Sequence, residues 1–289
     1  MQCANSHWQT ATSSLRTATV KMPVTFKRPD IRIGPMTLII GDCTKVLGSL
    51  SDHEKADLVV TDPPYKLTSG GKNSKGMSGK FAADRYNNNG NLMRITPWSA
   101  MPGPIFEACK PDCDAYVMGD SKNIFLARNA FIKAGWKFHE LLYWKKPSPT
   151  RCRYYMKNTE FILYLWKGKA RDINNGGSTQ SMPHARPKDA IHPTQKPLDM
   201  LRVLIENSSQ PGDLVLDPFA GSGATLVAAM QSGRRAIGVE VDPDHAARSA
   251  AWMRQEWDAH RRREDAEEEA ALRELAAAEA LLEIEAAHS

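Results

Sequence analysis

The chain has 289 residues, 42% of them hydrophobic and 25% charged, so it can bury a sizeable core as one large or two small domains and has the composition of an ordinary globular protein. No apolar run is long enough to span a bilayer, and residues 1–20 are rich in Ser, Thr and Ala without a continuous apolar core, so neither a membrane span nor a secretory signal is expected. The formal net charge of +5 is uneven: residues 264–289 hold nine acids and one base, which leaves +13 on residues 1–263 and points to a polyanionic partner.

Residues 1–33 read as a flexible leader, 34–257 as the main domain and 258–289 as an acidic Ala/Glu-rich helix. A strand over 36–40 runs into Gly41-Asp42-Cys43, where Asp42 is placed to face a ligand, to cap a helix over 43–50, or both. The run Asp57-Leu58-Val59-Val60 reads as a short buried strand. Thr61-Asp62-Pro63-Pro64-Tyr65 ends it. Each proline fixes its own φ and biases the residue before it to extended geometry, so Asp62 and the proline carbonyls are held stiffly beside the Tyr65 ring. A carboxylate, a rigid carbonyl and an aromatic face suit a planar ring bearing an amino group; a plain turn is the alternative.

Residues 66–94 form a long stretch without apolar periodicity, holding Lys66, Lys72, Lys75, Lys80 and Arg85 as candidate phosphate contacts. A helical segment is expected over 98–110, interrupted by Pro102 and Pro104, then a turn at Pro111-Asp112 and a strand over 115–119. Ser121 is expected to cap a helix that Gly135 ends. Strands over 136–144 and 160–166 are expected to pair antiparallel. Between them, residues 145–157 interleave bases with rings (Lys145, Lys146, Arg151, Arg153, Tyr154, Tyr155), as a nucleic-acid groove requires. Residues 168–191 look irregular and precede His192-Pro193-Thr194-Gln195-Lys196-Pro197 and an amphipathic helix.

A strand over 213–217 then leads through Pro218-Phe219-Ala220-Gly221-Ser222-Gly223-Ala224-Thr225 into a helix. Strand, Gly-x-Gly turn and helix form a ligand cradle. The next strand, 235–240, ends in Glu240, about 20 residues past the glycines, where an acid binds ribose hydroxyls. The third glycine of the dinucleotide fingerprint is missing, which argues against NAD. Pro243 opens a long helix with Asp242 as its cap. The five cysteines are odd in number and lack a Cys-x-x-Cys pair, so a reducing cytoplasm and no metal site are expected.

Taken together, Ile40-Gly41-Asp42-Cys43, Asp62-Pro63-Pro64-Tyr65, Asn158-Thr159-Glu160 with Lys167-Gly168, the His192–Pro197 segment, Asp217–Gly223 and Gly238-Val239-Glu240-Val241-Asp242 resemble the amino-methylating DNA methyltransferases. The catalytic motif precedes the cofactor loop, the β arrangement of N6-adenine and N4-cytosine enzymes. The resemblance spans roughly residues 36–254. It implies an α/β, Rossmann-like S-adenosylmethionine-dependent fold with a circularly permuted motif order and a mostly parallel seven-stranded sheet carrying an antiparallel strand. It implies catalysis at Asp62, Pro63, Pro64 and Tyr65. It implies cofactor contacts at Asp42, Cys43, His192, Thr194, Lys196, Asp217, Phe219, Ala220, Gly221, Ser222, Gly223, Thr225, Glu240 and Asp242.

The segment that usually reads DNA sequence, here 168–191, is short, so recognition is expected to be spread over 66–94 and 145–157. The resemblance favours adenine in double-stranded DNA, flipped from the helix, as the substrate, because the first residue of the catalytic motif is Asp rather than Ser. Cytosine N4, an RNA or protein-glutamine substrate, and a lapsed DNA-binding module are the alternatives. Pairing of two copies and a cognate restriction endonuclease are left open by the residues.

Overall fold

The computed structural model describes residues 28–65, 94–150, 155–192 and 194–287. Among these, nine strands form one sheet in the order β1-β2-β9-β8-β3-β4-β6-β5-β7. The strands are β1 (Asp30–Ile33), β2 (Met36–Ile40), β3 (Ala56–Thr61), β4 (Cys109–Gly119), β5 (Lys137–Thr150), β6 (Lys157–Lys167), β7 (Ser181–Pro183), β8 (Leu214–Asp217) and β9 (Arg235–Glu240). The helices are α1 (Cys43–Val46), α2 (Pro102–Glu107), α3 (Ile124–Lys133), α4 (Leu198–Ser208), α5 (Ala224–Gln231) and α6 (Pro243–Ala287).

Strands β2, β9, β8, β3 and β4 are mutually parallel, and β6 joins antiparallel to both β4 and β5. All six residues of β3 are buried, as a strand covered on both faces must be. Its side chains alternate between two cores. Leu58 and Val60 pack with α4, α5 and the start of α6, whereas Val59 packs with α1, α2 and α3. From β3 the chain winds outward to β4; from β8 it winds the other way to β9. The direction reverses between β3 and β8, which pair Leu58 with Val215 and Val59 with Leu216. A crevice opens beyond the carboxyl ends of strands at such a point.

The structure corrects several expectations. Two strands extend the sheet beyond seven. One is β1, which lies inside the expected leader; Asp30–Ile33 pairs with β2, and Arg28 is tied to Glu54 and Asp30. The other is the short β7 within 168–191, alongside β5. Pro111 and Asp112 lie within β4 rather than in a turn. Pro102 and Pro104 do not disturb α2, because they occupy its first turn, where no intrahelical N–H is lost. Asp120, not Ser121, serves the start of α3: its carboxylate accepts from the N–H groups of Lys122 and Asn123 (3.0 and 2.8 Å). The first part of the expected basic loop, 145–150, is a continuation of β5. The acidic segment is continuous with α6, and its described side chains from Arg261 to Glu279 are exposed. No described helix is long and apolar enough to cross a membrane.

Candidate active site

A cavity of about 530 Å³ occupies the crevice, and both Asp62 and Gly221 line it. The two motifs, 159 residues apart in the chain, meet because β3 and β8 are neighbours. Thr61 at the end of β3 donates to Asp217 Oδ1 at the end of β8 (2.7 Å), and both residues are buried. The Phe219 N–H also donates to Asp217 Oδ1 (3.1 Å). Burial pushes the Asp217 carboxyl up to about 6 despite these bonds and one from Thr225.

Asp62, Pro63, Pro64 and Tyr65 all line the cavity. Asp62 Oδ2 is bonded to the Lys196 ammonium, while its buried Oδ1 has no hydrogen-bond partner among the described residues. Burial raises the Asp62 carboxyl above its ordinary range against the pull of Lys196. Tyr65 stacks on Trp98, with centroids 5.9 Å apart and planes at 21°. The Trp98 indole N–H is itself anchored on Asn123 Oδ1 at 3.2 Å.

On the side of the cavity where cofactor contacts are expected, Asp42 is the helix cap foreseen for it and also stands at the cavity wall. It caps α1, accepting from the Thr44 N–H and hydroxyl (3.0 and 2.7 Å), and it lines the cavity. The Thr44 hydroxyl bond, with help from Arg94 at 3.1 Å, holds its carboxyl below the usual range. Glu240 ends β9, accepting from the Gly221 and Asp242 N–H groups (3.0 and 2.9 Å), while burial raises its carboxyl. Asp242 caps α6 through the N–H groups of Asp244 and His245. His192 meets His245 edge-on at 5.4 Å, and burial, with His245 beside it, lowers the ring to about 4, so it is neutral at pH 7.

Cys43, Thr194, Phe219, Ala220, Ser222 and Thr225 also line the cavity. Burial pushes the Cys43 thiol up to about 12, so it offers an apolar surface rather than a thiolate.

Two of the expected cofactor residues have other partners. Gly223 does not line the cavity; it starts α5 at φ +81°, and a Cβ there would meet Met253 Sδ at 2.8 Å, so its need is close packing on α6. Lys196 lines the cavity but spends its charge on Asp62 and Glu160, at the catalytic end. Lys146, expected to grip phosphate, is 6% exposed and bonded to Glu160. Lying two residues beyond Trp144 on β5, it shares that residue's face of the strand, and its ammonium sits 4.6 Å over the indole ring.

Lys145 and Tyr155 are exposed. Lys66, Lys72, Lys75, Lys80, Arg85, Arg151, Arg153 and Tyr154 lie outside the described residues.

Sequence reading did not assign Glu160 to the site, nor Trp98 as the ring that backs Tyr65. Glu160 had a signal, a lone acid opening an aliphatic-aromatic strand; Trp98 had none, since only the fold brings it to Tyr65.

The cavity fits S-adenosylmethionine. Six carboxylates line it (Asp42, Asp62, Glu160, Asp217, Glu240, Asp242) against three cations (Arg94, Arg186, Lys196), a balance suited to a cationic ligand. Gly221, at φ +51°, could add a Cβ without meeting protein nearer than 3.9 Å, so the wall there is open for a ligand to approach backbone.

Comparisons with known proteins agree. The N6/N4 family model, described as DNA methylase, matches residues 56–251. The Type II methyltransferase M2.DpnII of Streptococcus pneumoniae is 31% identical over 253 residues, covering 77% of this chain and 91% of that protein. M2.MboI of Moraxella bovis is 30% identical over 226 residues, covering 69% and 81%. Among solved structures, the M1.HpyAVI–SAM complex superposes with a TM-score of 0.57 at 22% identity, covering 74% of this chain and 97% of that one. The cytosine-N4-specific PvuII DNA methyltransferase does so with 0.57 at 18%, covering 79% and 93%. These two likenesses establish the fold. With the catalytic motif and the cofactor loop facing one cavity and the family match spanning both, this chain belongs to the N6/N4 DNA methylases, S-adenosylmethionine-dependent DNA methyltransferases.

Proposed function

We propose that the chain methylates the exocyclic N6 amino group of adenine in double-stranded DNA, on a base flipped into the cavity. The observation that carries this reading is Asp62: it lines the cavity shared with the cofactor loop, one oxygen tethered to Lys196 and the other buried without a hydrogen-bond partner among the described residues. A buried acceptor without a donor is costly, and an amino hydrogen satisfies it.

Adenine's amine is a poor nucleophile because its lone pair is delocalised into the ring. The Asp62 carboxylate and the Pro63 carbonyl accept its two hydrogens, which favours a pyramidal nitrogen with a directed lone pair. Bound S-adenosylmethionine supplies a methyl group activated by its sulfonium. As the nitrogen gains the methyl it sheds one proton, and Asp62 is the nearest base. Tyr65, backed by Trp98, offers a ring face to the extruded base, whose unstacking costs about a few kcal/mol. Catalysis is then largely positioning. Lys145 and Tyr155, with the bases of 66–94 and 151–153, are read as DNA contacts.

The relatives' Type II designation supports a modifying role, which we read as one beside a restriction endonuclease. Protection of DNA methylated by this chain from restriction enzymes would supply the recognition sequence.

Incubating unmethylated DNA with tritiated S-adenosylmethionine and digesting to nucleosides should place label in N6-methyl-2′-deoxyadenosine. Label in N4-methylcytosine overturns the adenine assignment, and absence of label from DNA overturns the substrate class. Asp62→Ala should cut turnover by about three orders of magnitude or more while cofactor affinity holds; turnover that survives removes Asp62 from the chemistry.

A further inference from the structure

Beneath the catalytic carboxylate lies a chain of charges that alternates in sign. Asp62 Oδ2 is bonded to Lys196. Lys196 lies 3.4 Å from Glu160 Oε2, and Glu160 Oε1 is bonded to Lys146. Two carboxylates and two ammonium groups sum to zero. Lys196 and Lys146 are only 8% and 6% exposed, a depth at which an unbalanced charge is strongly disfavoured. The members come from four places: the end of β3, the segment before α4, β6 and β5. We infer that Lys196 and Glu160 are positioning residues for methyl transfer, Lys196 fixing the orientation in which the Asp62 carboxylate meets the amine and balancing its charge, and Glu160 limiting how far Lys196 draws on it. This rests on the reading of Asp62 given above.

The geometry supports both halves. A carboxylate with neither oxygen held can rotate about its last side-chain bond; tying Oδ2 to a buried ammonium leaves Oδ1 in one direction. The charges facing Asp62 are Lys196, Glu160 on β6, Lys146 on β5 and Asp217 on β8, with the Tyr65 hydroxyl beside it. Burial raises the Asp62 carboxyl, Lys196 lowers it and Glu160 raises it. Glu160 itself is held at about 2, since Lys196 and Lys146 together overcome its burial. Removing the Lys196 charge therefore makes Asp62 harder to ionise. Removing the Glu160 charge makes it easier to ionise but a weaker acceptor.

The test is the pH profile of kcat for the full chain, with amplified and hence unmethylated DNA and tritiated S-adenosylmethionine, alongside calorimetric cofactor affinity. Lys196→Met should lower kcat about tenfold or more and move the acidic limb up by about one unit or more. Glu160→Gln should move that limb down. Lys196→Arg, which keeps the charge, should retain the wild-type limb, and cofactor affinity should stay within about twofold in all three.

Limbs that stay put, or shift in the same direction, overturn the inference. So does a loss that appears only as weakened cofactor binding. If Lys196→Met does not fold, the other two variants decide: an upward limb in Glu160→Gln or a displaced one in Lys196→Arg refutes it. An inactive Asp62→Ala with unmoved limbs sinks this inference alone, whereas an active Asp62→Ala sinks the reading of Asp62 beneath it.

Discussion

Asp217, which lines the cavity, is held there at some cost to the fold. Its carboxyl, ordinarily near 4, stands at about 6 because burial outweighs the bonds from Thr225, Thr61 and Phe219. The folded chain therefore binds more protons here than the unfolded chain between about pH 4 and pH 6. Asp217's contribution to stability is fully present below the unfolded value and is lost as pH rises through 6. Asn at this position stands for the protonated form. The denaturation midpoint of wild type relative to Asp217→Asn should fall as pH goes from about 4 to about 7, and a gap constant across that window would refute the shift. At this scale the sequence was informative where chemistry is local. Asp62, Tyr65, Asp42 and Glu240 are each placed by a strand end or a helix cap that their neighbours dictate. Lys146 was misread because its partner Glu160 is 14 residues away and becomes adjacent only through the β5–β6 pairing.

Among the elements, α5 and α6 are joined by a contact that leaves no room for a side chain. Gly223 begins α5 in the left-handed region, with Met253 of α6 filling the place where a Cβ would stand. Gly223→Ala should cost about 1–3 kcal/mol through backbone strain and overpacking. The melting temperature should drop by several degrees while cofactor affinity is kept. A weaker cofactor complex with an unchanged melting temperature would return Gly223 to the site. Strand interiors and helix starts were legible because their signals are short-range: the β3 run, the Pro243 start of α6, the amphipathic α4. Element ends were less legible. β5 runs six residues past Trp144 because it pairs with β6 and β7, and neither partner is visible in the local run Lys145-Lys146-Pro147.

The whole molecule sets a basic body against an acidic helix end. Residues 264–289 contribute −8 to a total of +5, and the described side chains there are exposed. Deleting 264–289 should leave the melting temperature within about 2 °C, since surface changes of this kind touch little of the core. DNA binding should tighten several-fold at low salt, with the gain shrinking as salt screens it; weaker binding by the truncated chain would mean that this helix end engages DNA or its own domain.

The chain by itself determined the strand–motif and motif–helix units, because each depends on residues within one or two turns of one another; the order of the two motifs is read directly along it, and the cofactor class follows from the motifs' resemblance to the family. Only the tertiary structure decided that β8 inserts beside β3, that Thr61 reaches Asp217 and that Lys196 and Glu160 converge on Asp62. Those depend on strand order, and strand order follows from how two layers of helices bury both faces of the sheet at once, which no local stretch of sequence encodes.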